Sequence, residues 1–165
     1  MRYFITILIA ICFTSCCCHV KEARHIRNFT NENTGLDKLI RTDGYFYIER
    51  YELNRFGDME LRIIPIFFLE NGRFLGGWFV KTHEQAQNLL ARTPRLEAYY
   101  TLVGDIIKTR MAVRFHLTAF NIFEQHFLIE NDTTLRRIKL RSIICPTREI
   151  EERETNDVFR FRQYE

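Results

Sequence analysis

Residues 121–142 read NIFEQHFLIENDTTLRRIKLRS, and this stretch decides the fold class. Phe123, Phe127 and Ile129 oppose Glu124 and His126, because successive side chains of an extended strand point to opposite faces. Asn131-Asp132 then signals a turn, and a second run, 134–142, puts Arg137, Lys139 and Arg141 on one face. One face buried and one wet is the antiparallel pattern.

Working outward, the same punctuation recurs. Asp43-Gly44, Gly57-Asp58, Asn71-Gly72, Gly104-Asp105 and Asn156-Asp157 are turn signals, since Gly and Asn tolerate the positive φ of tight hairpins. Between them the spacing predicts strands at 45–53, 59–69, 73–80, 97–103, 106–114, 121–129, 134–142 and 158–163. In the fifth, Ile107, Thr109, Met111 and Val113 share a face opposite Lys108 and Arg110; in the last, Phe159 and Phe161 oppose Arg160 and Arg162. The run Ile63 to Leu69 is apolar on both faces, and Pro65 cannot donate to a ladder, so an edge or bulge is expected there. Thr82 and Gln85 form a capping-box pattern before Ala86, Leu89 and Leu90, with Pro94 beyond, which predicts one short helix. The acidic segment 145–157 reads as a solvated connection. A mainly β domain follows: an antiparallel meander of about eight strands, closed as a small barrel or split into a two-sheet sandwich.

The bulk properties agree. The 165 residues are 46% hydrophobic and 14% aromatic, with seven Gly and three Pro, which excludes collagen-like and disordered chains. A chain this long buries one sizeable core without disulfide staples. Twenty-four basic against 21 acidic residues are too balanced to imply a nucleic-acid partner.

The N-terminus reads separately. Arg2 precedes the run Phe4–Phe13, apolar apart from Thr6, which is the anatomy of a secretory signal and is too short for a helix that spans a bilayer. Phe13-Thr14-Ser15-Cys16 follows: an apolar residue, two small ones and a cysteine. This resembles the bacterial lipoprotein signal. The resemblance implies cleavage before Cys16, diacylglycerol on its thiol, with Cys17 as alternative acceptor, and palmitate-like chains holding the protein to the cell envelope, with the outer membrane as expected location. The domains are then 1–15 signal peptide, 16–34 lipidated N-terminus and tether, and 35–165 a single β domain. Once Cys12 leaves and Cys16 is acylated, Cys17, Cys18 and Cys145 form neither a disulfide framework nor a zinc site.

A second resemblance lies in the body. Tyr45-Phe46-Tyr47, Asn71-Gly72-Arg73-Phe74, Val103-Gly104-Asp105 and the run Phe127 to Thr133 look like the hairpins of small lipocalin-like bacterial lipoproteins. The likeness spans roughly 40–163 and departs from lipocalins in placing Gly76-Gly77-Trp78 on the third strand rather than the first. It implies a barrel with room for a small apolar ligand. Phe46, Phe67, Phe74, Trp78, Tyr99, Phe123, Phe127, Phe159 and Phe161 either line such a cavity or fill the core. Trp78, Phe74 and Phe127 are the candidate ligand contacts; four residues apart on one strand, Trp78 and Phe74 are expected to face inward together.

Signs of catalysis are weak. His83-Glu84 begins like a zincin helix, but Gln87 replaces the second imidazole. Ser142 lacks a nucleophile elbow, and Cys145, flanked by Ile143, Ile144 and Pro146, reads as a packed small hydrophobe. Five of six Asp sit at turn signals, where their side chains bond local backbone. No cofactor, metal or enzymatic role is expected. The basic faces either meet anionic lipid headgroups or pair with Glu across strands. Two functions remain: a lipid-anchored envelope protein whose barrel binds a small apolar ligand, or a structural or assembly lipoprotein that docks to an envelope protein through an edge near Pro65 or the Arg faces.

Overall fold

A computed structural model of the chain describes residues 35–69, 72–92, 98–114, 120–145 and 149–164. The expected signal segment 1–15 and tether 16–34, Cys16 included, lie outside the described residues. The strands are β1 (Gly44–Leu53), β2 (Met59–Phe68), β3 (Phe74–Gly76), β4 (Ala98–Val103), β5 (Ile106–Arg114), β6 (Phe120–Asn131), β7 (Thr134–Cys145) and β8 (Glu149–Gln163). They form one antiparallel sheet in the order β3-β2-β1-β8-β7-β6-β5-β4. The chain thus runs as a meander whose first strand pairs with its last, from Gly44↔Gln163 to Tyr47↔Arg160. The two remaining edges meet at the bridge Arg73↔Tyr99, beside which the Tyr100 amide donates to the Gly72 carbonyl at 2.9 Å and the Tyr100 hydroxyl to the Leu69 carbonyl at 3.0 Å. The result is a nearly closed barrel; a single continuous sheet rules out the two-sheet sandwich.

Gly44 makes the β1–β8 join possible. A Cβ at this position would sit 2.1 Å from the Arg162 carbonyl oxygen, so only a residue without a side chain fits.

Two expectations need correction. The third strand does not run over 73–80 but stops at Gly76, because Gly77 takes φ +91 and ends the alternation. The acidic segment 145–157 is not a connection: Glu149 onward is the first half of β8, laddered to β7 from Ile144↔Glu149 to Lys139↔Glu154. Lys139 meets Glu152 at 2.7 Å, so cross-strand charge pairing takes the part that burial plays elsewhere in the sheet. Asn156-Asp157 consequently lies inside a strand, not at a turn.

Two cores flank the sheet. Inside the barrel, Phe46, Ile66, Phe68, Phe74, Ile107, Phe127, Leu135 and Phe159 are buried. The 3-10 turn Leu36–Lys38 brings Leu36 and Ile40 against them, which closes the end where the β2–β3, β4–β5 and β6–β7 connections lie. Rings interlock here: Phe68–Tyr100 centroids are 5.3 Å apart, and Phe127–Phe159 5.5 Å apart, both edge-on. Outside the barrel, Tyr45, Ile63, Phe67, Leu75 and Val80 receive the helix α1 (His83–Arg92) through Ala86, Leu89 and Leu90. The Gln85 amide donates to the Thr82 hydroxyl at 3.2 Å, as the capping pattern predicts, while the Gln85 side chain accepts from the Lys81 amide at 2.9 Å rather than from Thr82.

Pro65 is explained by the same geometry. Ile63 exchanges both backbone bonds with Val80, so residue 65, two positions on, turns its nitrogen to the same side. There the partner chain has left the ladder at 77–79, and the N–H that Pro65 lacks has no acceptor to miss.

Candidate functional site

Among the described residues, the end of the barrel that carries the β1–β2, β5–β6 and β7–β8 connections is not filled. A cavity of about 840 Å³ opens there. Its walls are Ile64 and Ile66 of β2, Met111 and Val113 of β5, Phe123 of β6 and Leu140 of β7, with Phe159 at the boundary to the filled half. Trp78 and Phe79 flank it where β3 has ended. The early stop of β3 matters here: the chain crosses the rim as 77–79 instead of laying inward-facing residues along the interior.

The polar part of the lining is a network around Arg137, which is only 8% exposed. Its Nε donates to Asp157 at 3.1 Å, its Nη2 to the same carboxylate, and its Nη1 to the Gln125 side-chain oxygen at 2.9 Å. Arg50 Nη2 donates to the other Asp157 oxygen. The Arg137 guanidinium also lies over the Phe159 ring, 5.6 Å from its centroid. Burial draws the pKa of Arg137 below the ordinary arginine value, and the Asp157 hydrogen bond opposes that shift. For Asp157 burial works against ionisation, but the hydrogen bond and charge of Arg137, with Arg50, outweigh it and hold the carboxyl below its usual range. Both groups are therefore charged at neutral pH, as ion-paired buried groups are.

Register shifts put Arg137 in this position. Between Arg137 and Lys139, β7 advances two residues while β8 advances three, and opposite the same point β6 steps only from Phe127 to His126. Bulges of this kind re-aim side chains. The expected grouping of Arg137 with Lys139 and Arg141 is thereby broken: Arg137 turns into the barrel and the other two face outward. On that outer face Arg110 and Arg141 meet Glu124 at 3.2 and 3.1 Å, and Lys139 meets Glu152. Arg110, Lys139 and Arg141 are thus partnered across strands.

Of the three sequence-predicted contacts, Trp78 lines the cavity. It is half-buried and also packs against the outer, helix-bearing cluster, because the break at Gly77 takes it off the Phe74 face. Phe74 and Phe127 are fully buried in the filled half and do not line the cavity. Among the other aromatics, Phe123 and Phe159 line it, Phe46 and Phe161 belong to the filled half, and Phe67 packs outside under α1. Arg50 and Gln125 were not singled out by the sequence reading, which placed Arg137 on a basic strand face and Asp157 in a turn. The available signal was the period of two through Thr155, Asp157, Phe159 and Phe161, which places Asp157 on the core face.

His83 docks the helix. Its Nδ1 meets the Tyr45 hydroxyl at 2.9 Å, its Nε2 meets Glu49 at 3.2 Å, and its ring stands edge-on to Tyr47 at 4.7 Å. Among the described residues no three His, Cys, Asp or Glu side chains converge as a metal site. No protein-family model matches the chain, and no curated protein or solved structure matches it.

Proposed function

We propose that this chain is a lipid-anchored protein of the bacterial cell envelope whose barrel holds a small apolar ligand without transforming it. The anchor rests on the sequence Phe13-Thr14-Ser15-Cys16 and on the signal-like run before it. The binding role rests on one observation: a barrel plugged by aromatic side chains at one end and hollow at the other, with a cavity of about 840 Å³ walled by Ile, Val, Met, Leu and Phe. Small-molecule sites are apolar hollows of about 300–1,000 Å³ with a few placed polar groups.

Trp78, the sole tryptophan, reports on this cavity. Titrating the full chain with long-chain fatty alcohols, fatty acids and sterols should shift or quench its emission saturably at low micromolar levels, about −8 kcal/mol of binding. Trp78→Phe should weaken binding of a probe followed by its own fluorescence while leaving the β spectrum intact. A panel without any saturable response would refute the binding role.

A second reading, docking to an envelope protein, is favoured by the β1–β2 hairpin. Tyr51, Leu53, Phe56 and Met59 are each more than 60% exposed there, beside the cavity rim. Exposed apolar clusters of this sort commonly mark contact surfaces.

A further inference from the structure

The cavity carries a charge pattern that a purely apolar ligand does not need. Two guanidiniums of the cavity wall, Arg50 and Arg137, converge on one carboxylate, that of Asp157. Arg153 also lines the cavity. Among the described residues Glu52 is the acidic side chain of the lining, and it lies 3.5 Å from Arg62. Among the described lining residues Arg50, Arg137 and Arg153 thus outnumber Glu52, and Arg50 and Arg137 share a single counter-charge, that of Asp157. Unbalanced positive charge beside an apolar wall is costly unless an anion completes it, and guanidinium presents planar paired donors that match a carboxylate.

Resting on the binding role proposed above, we infer that the ligand is a single-chain anionic amphiphile, its carboxylate held by Arg50 and Arg137 and its apolar chain laid along Ile64, Met111, Val113, Phe123 and Leu140. The carboxylate joins Asp157 as a second acceptor for the two guanidiniums. Arg50 makes a single hydrogen bond to Asp157 and its side chain is 35% exposed, so it is the arm that can reach a ligand without dismantling the core. Arg137, held by Asp157 and Gln125, is the fixed part of the cradle. Charge-assisted bonds of this type are about twice as strong as neutral ones. They select between headgroups, while the walls bind any chain.

The test compares cis-parinaric acid with its methyl ester, which share one fluorescent chain and differ in headgroup charge. Each is titrated at pH 7.5 into the full-length protein, wild type and variants. The acid should bind about tenfold more tightly than the ester, one charge-assisted contact's worth. Arg50→Gln should abolish most of that preference, read as the ratio of acid to ester affinity within the variant. Asp157→Asn removes the competing carboxylate and should widen the preference about threefold, on the same reasoning about charge-assisted bonds. Each variant is read only where its far-UV spectrum matches wild type, and if Asp157→Asn does not fold, Arg50→Gln decides alone. Equal binding of acid and ester, or a preference that survives Arg50→Gln, overturns the anionic headgroup and leaves the apolar cavity standing. Binding of neither probe overturns both readings.

Discussion

Asp157→Asn is also the sharpest test of the buried network as a structural element. Asp157 accepts from Arg137 Nε, Arg137 Nη2 and Arg50 Nη2. Removing one partner of a fully buried ion pair costs about 3–5 kcal/mol. The side chain of Asp157 is 20% exposed and that of Arg50 35%, so water recovers part of the loss. Asparagine keeps one acceptor oxygen, which preserves about 1 kcal/mol of neutral hydrogen bonding. A loss of about 2–3 kcal/mol at pH 7 is expected, against a total of about 5–15 kcal/mol for a domain. The effect has a definite pH signature. The carboxyl of Asp157 titrates below its ordinary value in the folded state, so its contribution is complete above the unfolded value of about 3.9 and fades as pH falls through that value toward the folded one. Urea titrations of wild type and variant, followed by far-UV circular dichroism at pH 7, 5 and 3, measure the gap. It should be full at pH 7 and 5 and clearly narrower at pH 3. Other carboxylates held ionised by basic neighbours, such as Glu60 by Lys81 and Glu152 by Lys139, titrate in both proteins and cancel in the difference. A gap under about 0.5 kcal/mol at pH 7 is the size of an ordinary surface change and would show that the network contributes nothing to stability. A gap of equal size at pH 3 would show that charge is not the cause.

Other parts of the structure make independent predictions. Gly44→Ala drives a Cβ into the Arg162 carbonyl and should lower stability by about 1–3 kcal/mol, as overpacking does; a melting temperature within a degree of wild type would mean that the β1–β8 register is wrong. Phe127→Ala empties the centre of the Phe68, Phe74 and Phe159 ring cluster and should cost about 3–5 kcal/mol by urea denaturation, with no loss of ester binding beyond that of unfolding, since Phe127 does not line the cavity. Cys16→Ala should leave an uncleaved precursor without acyl label in cells fed labelled fatty acid; a labelled product would assign the acyl chains to Cys17 or remove the lipoprotein reading.

The fold was legible wherever one residue type controls local geometry. Gly104-Asp105 and Asn131-Asp132 sit at the β4–β5 and β6–β7 turns as expected, and Thr109 joins Ile107 and Met111 on the buried face. Six of the eight expected strands, at 45–53, 59–69, 97–103, 106–114, 121–129 and 134–142, recur within three residues of their expected ends. What alternation could not convey was interruption. The positive φ of Gly77 cut the third strand, and the irregularity beside Arg137 reversed which face a guanidinium occupies; both are changes of backbone phase, invisible to a strict period of two. The acidic half of β8 was missed for another reason. A strand held by backbone ladder and charge pairing buries little, so it carries no hydrophobic signature. The site suffered from the same causes. The aromatics named as ligand contacts were the most apolar residues in the sequence, and two of the three fill the core, while the polar cradle arose from Asp157, whose Asn-Asp pair reads as a turn.

The pairing of the first strand with the last also sets a clock. Tyr47 finds its ladder partner in Arg160, 113 residues downstream, and at a synthesis rate of about 5–20 residues per second that interval is roughly 6–23 s. Throughout it, the edge of β1 from Gly44 to Tyr47 has no neighbour on the β8 side, although Tyr45 and Phe46 upon it become two of the most deeply buried side chains in the protein. An unpaired apolar edge is a template for joining the wrong chain. The nascent β1–β2 hairpin thus depends on something else to shield it, or on remaining unfolded, until the final strand emerges. Ribosome-bound fragments ending before residue 158 should accordingly be protease-sensitive across 44–68, and become resistant only when that last ladder is in place.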